Sequence, residues 1–330
     1  MNGARNELLV VALGGNAFLR HGEKGTYEEQ HKHILDTAKH LADLMEQGFR
    51  LVITHGNGPQ IGQTLLRHEA GEKMFGIPQL PMHVCVAETQ GFIGFMIQQA
   101  LRSEIKRRGL EGIVLTVLTR VIVDREDEEL DRPTKPVGQF YSKNELDVIR
   151  SKHPEYTFVE DKARGGWRRM VPSPDPMRIA IAEQASIRLL VDSGCTVIAC
   201  GGGGIPVIET EGWHAEGVEA VIDKDLAGER LATLLKASKF MMLTDVDGAY
   251  INYKTPQQKH LGRLMASEAR KYLEEGHFSH GSMEPKILAG IRFVEHGGSV
   301  SIIAELSDVL NAVTGLSGTV ILPDSRQVGP

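Results

Sequence analysis

Leu8–Leu13 is an unbroken apolar run, the pattern of a central parallel strand buried on both faces. From Tyr27 the apolar positions fall at helical spacing. Ile34, Ala38, Leu41 and Met45 make one stripe, and Gly48 supplies a C-terminal stop. Leu51-Val52-Ile53-Thr54 predicts a second strand, followed by a helix through Leu66 and a longer one over residues 84–108. Residues 113–123 predict a third strand. After a break in the pattern, a helix over residues 179–192 leads into the strand Thr196-Val197-Ile198-Ala199-Cys200. Residues 221–225 open a helix ending near Ala237, and Phe240-Met241-Met242-Leu243-Thr244 is a further strand. Gly281-Ser282-Met283 starts a helix reaching about Glu295, and residues 299–304 and Thr319–Leu322 read as the last strands. Such alternation predicts an α/β fold: a three-layer αβα sandwich around an open, mainly parallel, doubly wound sheet with right-handed crossovers.

The break carries information of its own. Residues 124–170 are rich in charge, proline and glycine, with little helical periodicity, and are too long for an ordinary connection. They predict an inserted, protruding lid subdomain of small hairpins over the sheet edge. The whole chain, 1–330, then reads as one domain with an N-terminal lobe (1–236) and a C-terminal lobe (237–330), without internal repeats.

Composition narrows the class. A net charge of −6 argues against a protein that coats nucleic acid, and no nucleic-acid partner is expected. Cys85, Cys195 and Cys200 are too few for a disulfide framework or a zinc knuckle and read as buried thiols in a reducing compartment. The first residues run directly into an apolar stretch too short for a signal segment or a membrane span. The expectation is a cytoplasmic protein with no membrane partner.

Candidate chemistry gathers where strands end. In open parallel sheets, ligands bind at the carboxyl ends of strands. Gly14-Gly15-Asn16, Gly56-Asn57-Gly58 and Gly201-Gly202-Gly203-Gly204 each follow an apolar strand. Glycines there remove β-carbons, so backbone can approach a bulky anion closely. No P-loop motif exists, and Gly56-x-Gly58 is followed by Ile61 where a dinucleotide fingerprint needs glycine, which weakens a dehydrogenase reading. Phosphoryl transfer needs cations that hold phosphates in line. Lys224 and Lys286 are the candidates, since each sits at a helix start, where free backbone N–H groups also favour an anion. Asp225, beside Lys224, is placed to hold the lysines by charge-assisted hydrogen bonds. The histidines form no cluster with metal-ligand spacing, and no resident metal is expected. His55, at a strand exit, reads as structural.

At these residues the chain resembles the carbamate kinases, of the amino acid kinase fold family. The likeness spans residues 11–322 and rests on Val11-Ala12-Leu13-Gly14-Gly15-Asn16-Ala17, His55-Gly56-Asn57-Gly58-Pro59-Gln60, Arg132-Pro133-Thr134-Lys135-Pro136, Gly166-Trp167-Arg168-Arg169 with Val171-Pro172-Ser173-Pro174, residues 201–206 and 221–225, and Gly281-Ser282-Met283 with Pro285-Lys286. It departs from the family at Arg132, often Asn there, and at Arg164-Gly165-Gly166, often Gly-Arg-Gly.

The resemblance implies reversible, direct in-line transfer between ATP plus carbamate and ADP plus carbamoyl phosphate, with ATP formation as the expected physiological direction and a place in arginine catabolism. It implies catalytic roles for Lys135, Lys224, Asp225 and Lys286, with Lys135 reaching down from the lid. Gly14, Gly15, Asn16, Gly56, Asn57, Gly58, Gly202 and Gly203 would surround carbamate and phosphate, and Asp245, Tyr250 and Met283 would lie near the nucleoside. Magnesium would arrive with ATP or ADP, and no organic cofactor is implied. A homodimer is implied, with Met96, Ile97 and Ala100 of the long helix available for its interface. The alternatives are a kinase for another small carboxylate on the same fold, or a non-catalytic nucleotide or anion sensor.

Overall fold

A computed structural model describes residues 6–20, 22–161, 165–175, 180–210 and 215–324; Arg164, Ile179 and the side chain of Asn16 lie outside the described residues. The chain opens with β1 (Leu8–Leu13), α1 (Tyr27–Glu46) and β2 (Arg50–His55), followed by α2 (Gly58–Phe75) and α3 (Met82–Arg107). Then come β3 (Val114–Thr116), β4 (Arg120–Ile122), β5 (Pro133–Tyr141), α4 (Lys143–Lys152), β6 (Thr157–Glu160) and β7 (Trp167–Pro172). A short β8 (Ala180–Ile181) precedes α5 (Gln184–Asp192), β9 (Thr196–Ile198), β10 (Ile205–Glu209), β11 (Ala215–Gly217) and α6 (Lys224–Leu234). The remainder is β12 (Lys239–Thr244), β13 (Ala249–Ile251), β14 (Lys259–Leu261), β15 (Arg263–Met265), α7 (Ala266–Glu274), α8 (Met283–Glu295), β16 (Val300–Glu305), α9 (Val309–Val313) and β17 (Thr319–Leu322).

One eight-stranded sheet, in the order β15-β17-β16-β12-β1-β2-β9-β3, forms the middle layer. Its neighbours are parallel except for the antiparallel pair β16 and β17. All six residues of β1 are buried, and their period-two alternation feeds two cores. Leu8, Val10 and Ala12 pack with residues of α5, α6, α7 and α8. Leu9, Val11 and Leu13 pack with α1, α3 and α9 on the other face. The predicted three layers follow from that alternation. Because β1, β2, β9, β12 and β16 all run the same way, their carboxyl ends share one edge.

Several boundaries differ from the sequence reading. The stretch 113–123 is two strands in two sheets: β3 extends the main sheet, while β4 joins the separate sheet β11-β10-β4-β8. The chain is diverted at Thr119, whose N–H goes to the Gln90 side chain and whose carbonyl accepts from Ile205 N–H of β10. Among the described residues the helix expected from 179 begins only at Gln184, since Ala180–Ile181 pairs with β4. The helix expected to end at Leu66 runs on to Phe75 and stops at Gly76, in the left-handed region at φ 68°. The inserted segment holds the small sheet β5-β7-β6 and also a helix, α4, started by a capping box between Ser142 and Glu145.

Met96, Ile97 and Ala100 do not serve an intermolecular face, because all three are buried against this chain's own sheet. The outward side of α3 carries Phe92 and Phe95 instead; Phe92 shares a cavity lining with exposed Ile77 just past α2, and Met74 and Phe75 at the end of α2 are exposed as well. Among the described residues, no helix is long and apolar enough to cross a membrane.

Candidate active site

The site is built at the shared carboxyl edge. β1 exits at Gly14, whose own N–H donates to the Leu243 carbonyl of β12 at 3.1 Å; a β-carbon on Gly14 would stand 2.7 Å from that oxygen. β2 exits at Gly56, whose N–H donates to the Leu13 carbonyl and whose missing β-carbon leaves room for Lys224 Cδ, 2.9 Å from where it would be. After β9, residues 201–203 form one 3₁₀ turn, and the Gly203 N–H donates to the Cys200 carbonyl. These N–H groups of Gly14, Gly56 and Gly203 are thus already committed, and the space that a β-carbon would take at each is filled by Leu243, Lys224 and Ile222. Asn57 donates its side-chain amide to Thr89 Oγ1 at 2.9 Å and lies against Gly202.

The glycine turn also fixes the lysines. Gly203 packs so closely on Ile222 that a β-carbon there would be 2.2 Å from the Ile222 carbonyl oxygen. Ile222 leads into Asp223, the N-cap of α6, whose Oδ1 accepts from the N–H groups of Asp225 and Leu226. Its other oxygen, Oδ2, takes Lys135 Nζ of the lid at 2.7 Å. One turn of helix thus anchors the lid lysine and presents the next two residues. Lys224 Nζ donates to Asp225 Oδ1 at 2.6 Å, and Lys286 Nζ, from α8, donates to Asp225 Oδ2 at 3.0 Å. Lys286 also donates to the Ser282 carbonyl at 3.3 Å.

This cluster is nearly dry: Asp225 and Lys286 are buried, and the Lys224 side chain is only 19% exposed. Burial opposes the Asp225 charge, yet the two ammonium groups outweigh it and hold the carboxyl below the usual range. Burial is also the largest influence on each lysine. It carries Lys224 below the ordinary lysine value despite Asp225, whereas for Lys286 the carboxylate wins and the value is raised. Two ammonium groups share one carboxylate, so the cluster keeps a surplus positive charge. A buried surplus of positive charge is what an incoming phosphoryl group would satisfy.

The other expected site residues stand apart from the cluster. Asp245 follows β12 directly on the same edge and accepts from Thr244 Oγ1. The Tyr250 hydroxyl donates to Asp247 at 2.6 Å, and its ring packs on Tyr253 and His260. Met283 opens α8 one turn before Lys286. Among the described residues, no hydrogen bond or ion pair joins the side chains of Asp245, Tyr250 or Met283 to the lysines. A cavity of about 840 Å³ lies elsewhere, between the lid and α2, lined among others by Leu65, Met82, Tyr156, Arg169 and Glu219. Its lining includes none of the lysine cluster, so volume alone does not find the chemistry.

His55 is buried beneath the edge; its Nδ1–H donates to the Gly56 carbonyl, and burial depresses its pKa to about 4, which keeps it neutral and structural. Two contributors escaped the sequence reading. Asp223 caps α6, but its grip on Lys135 spans 88 positions. Gln90, mid-helix in α3, donates to the Gly201 carbonyl at 2.9 Å and to Thr119 at 3.2 Å, clamping the glycine turn. No local signal marks it, because its partners are distant in the chain.

Similarity to known proteins agrees with this geometry. The amino acid kinase family model matches residues 7–305. Carbamate kinase from Thermococcus kodakarensis is 51% identical over 315 residues, covering 95% of this chain and 98% of the relative. Carbamate kinase from Pyrococcus horikoshii is 50% identical over 317 residues, covering 96% and 99%. The solved structure of carbamate kinase from Giardia lamblia bound to AMP-PNP superposes with a TM-score of 0.90 at 40% identity, covering 97% of this chain and 99% of that one. The chain belongs to the amino acid kinase family.

Proposed function

We propose that this protein is a carbamate kinase, transferring a phosphoryl group reversibly between ATP plus carbamate and ADP plus carbamoyl phosphate. The observation that carries the mechanism is the single buried carboxylate of Asp225 between Lys224 Nζ and Lys286 Nζ at the glycine-lined edge. Identity of 50–51% to carbamate kinases over almost the whole chain supports the choice of substrate.

In this reading the carbamate oxygen attacks the γ-phosphorus directly, in line with the leaving ADP oxygen, so no enzyme nucleophile is required. Lys224 and Lys286 balance charge on the equatorial oxygens. Asp225 keeps both ammonium groups oriented before substrate arrives, so little reorganisation accompanies the transfer. Gly14, Gly15, Gly56, Gly58, Gly202 and Gly203, with Asn16 and Asn57, would admit the phosphates and carbamate against bare backbone. Lys135, released from or shared with Asp223, would cover the small acceptor from the lid. Asp245, Tyr250 and Met283 would border the nucleoside. Magnesium enters as the counter-ion of ATP or ADP and is part of the substrate.

We further infer a homodimer that buries Phe92 and Phe95 of α3 with Met74 and Phe75 of α2 and Ile77 just past it, since such a group of exposed apolar side chains is unusual on a monomer. Three free buried thiols suit a reducing, cytoplasmic setting. The test of function is ATP formation from ADP, magnesium and carbamoyl phosphate in a coupled assay. The reading requires ATP production. A folded protein that binds ADP yet forms no ATP from carbamoyl phosphate would overturn it.

A further inference from the structure

Away from the lysines, α2 and α3 bring a second set of reactive side chains to one point. His68 lies on α2, while Cys85 and Glu88 stand three apart on α3 and so share a face. One donor atom from each, a ring nitrogen, the thiol sulfur and a carboxylate oxygen, all lie within 4.8 Å of one another. His68 Nε2 is 3.1 Å from Glu88 Oε2. In a tetrahedral zinc site with bonds of about 2.0–2.3 Å, donors stand roughly 3.3–3.8 Å apart. His68 Nε2 and Glu88 Oε2 already stand near that spacing, and the Cys85 sulfur lies within 4.8 Å of both, about 1 Å more than such a site needs.

The three groups run from core to solvent. Cys85 is fully buried, His68 is half-buried and Glu88 is exposed. Beside His68 and Glu88 opens a cavity of about 370 Å³, also lined by Thr64, Arg67, Gly71 and Phe92, with room for water. The His68–Glu88 hydrogen bond by itself accounts for two of the groups. It gives no reason for a thiol at the same place, whose own acceptor is the Leu80 carbonyl at 3.6 Å, a weak sulfur contact.

We propose that His68, Cys85 and Glu88 form a zinc(II) site that ties α2 to α3, with a water from the adjoining cavity as fourth ligand. Sulfur and imidazole donors select zinc over magnesium, which prefers oxygen ligands in octahedral geometry. On binding, the thiol proton leaves to solvent as the sulfur–zinc bond forms. Thiolate and carboxylate then match the charge of the ion, so the exposed Arg67 faces a neutral site. The ion would brace the helices that carry the outward apolar face, and it would take no part in phosphoryl transfer.

The experiment is titration of the metal-free, full-length protein with Co²⁺ alone, followed by displacement with Zn²⁺. One Co²⁺ per chain is expected, with the visible bands of tetrahedral cobalt and a near-ultraviolet thiolate-to-cobalt band, both removed by Zn²⁺. Cys85→Ser should abolish the thiolate band, while Cys195→Ser should retain it. His68→Gln and Glu88→Gln should each weaken Zn²⁺ binding by about ten-fold or more. If Cys85→Ser fails to fold, Glu88→Gln at the solvent side still decides the matter. Absence of the thiolate band, or equal Zn²⁺ affinity in His68→Gln, Glu88→Gln and wild type, would overturn the site.

Discussion

Replacing Gly203 with alanine is the sharpest probe of how the glycine turn positions the lysines. Gly203 has φ 93°, where a side chain adds about 1–2 kcal/mol. Its β-carbon would fall 2.2 Å from the Ile222 carbonyl oxygen and 2.8 Å from the carbonyl carbon, and must retreat by about 0.8 Å merely to reach 3.0 Å. Backbone atoms cannot swing aside as a lysine tip can. Ile222 therefore moves, and it leads directly into Asp223, Lys224 and Asp225. A misplacement near 1 Å costs roughly 100-fold in a geometry-dependent step, equivalent to about 2.7 kcal/mol of barrier. Gly203→Ala should thus lower kcat about 100-fold, with nucleotide Kd changed far less. Gly262→Ala, on the exposed link between β14 and β15, where nothing lies within 4 Å of the new methyl, is the control and should stay near wild type. Steady-state kinetics with calorimetric nucleotide binding reads both quantities. Equal turnover in the two variants would refute the coupling of turn to lysines.

Other outcomes follow from the charges and the surface. Burial lowers the pKa of Lys224, so its ammonium is lost at lower pH than a free lysine's. Activity should therefore fall on the alkaline side below about pH 10.4, and the limb for kcat should lie above that for kcat/KM, since bound phosphate favours the charged form; superimposable limbs would contradict this. His55 drops from 6.5 to about 4 on folding. The unfolded chain then binds more protons between those values, so stability falls as pH drops through that window, by about 3 kcal/mol from this residue. Urea unfolding of His55→Gln should show a shallower acid slope than wild type, and an identical slope would exclude the assignment. Phe95→Asp should convert the inferred dimer to monomer in sedimentation equilibrium, because Phe95 is 58% exposed on the α3 face; a wild type and variant of equal mass would contradict an interface there.

The legible parts of the fold are those whose burial is local in sequence. Leu8–Leu13 is apolar throughout because both faces of a central strand are covered. Lys224 and Lys286 could be singled out because helix starts announce themselves through caps and glycines. The switch at Thr119 was hidden, since residues 113–123 look the same whether they enter one sheet or two; the partners that part them, the Gln90 side chain and the Ile205 N–H, are distant in the chain. Helix α4 was legible in principle, as Ser142-x-x-Glu145 is a capping box, but charge and proline around it masked its short apolar stripe. Met96, Ile97 and Ala100 went to the core and Phe92 and Phe95 to the surface. An apolar helix with both kinds of face does not say which side meets the sheet. The cluster of His68, Cys85 and Glu88 depends on how α2 sits against α3, which no spacing within either helix reveals.

Single-turnover phosphoryl transfer from carbamoyl phosphate to bound MgADP, in wild type, Lys224→Met and Lys286→Met, tests the lysine clamp most directly. Each variant should fold, should retain nucleotide binding within about ten-fold, and should transfer at least 10²- to 10³-fold more slowly, roughly the loss of one preorganised charge donor or more. Transfer at a near-wild-type rate in either variant would contradict the clamp on Asp225.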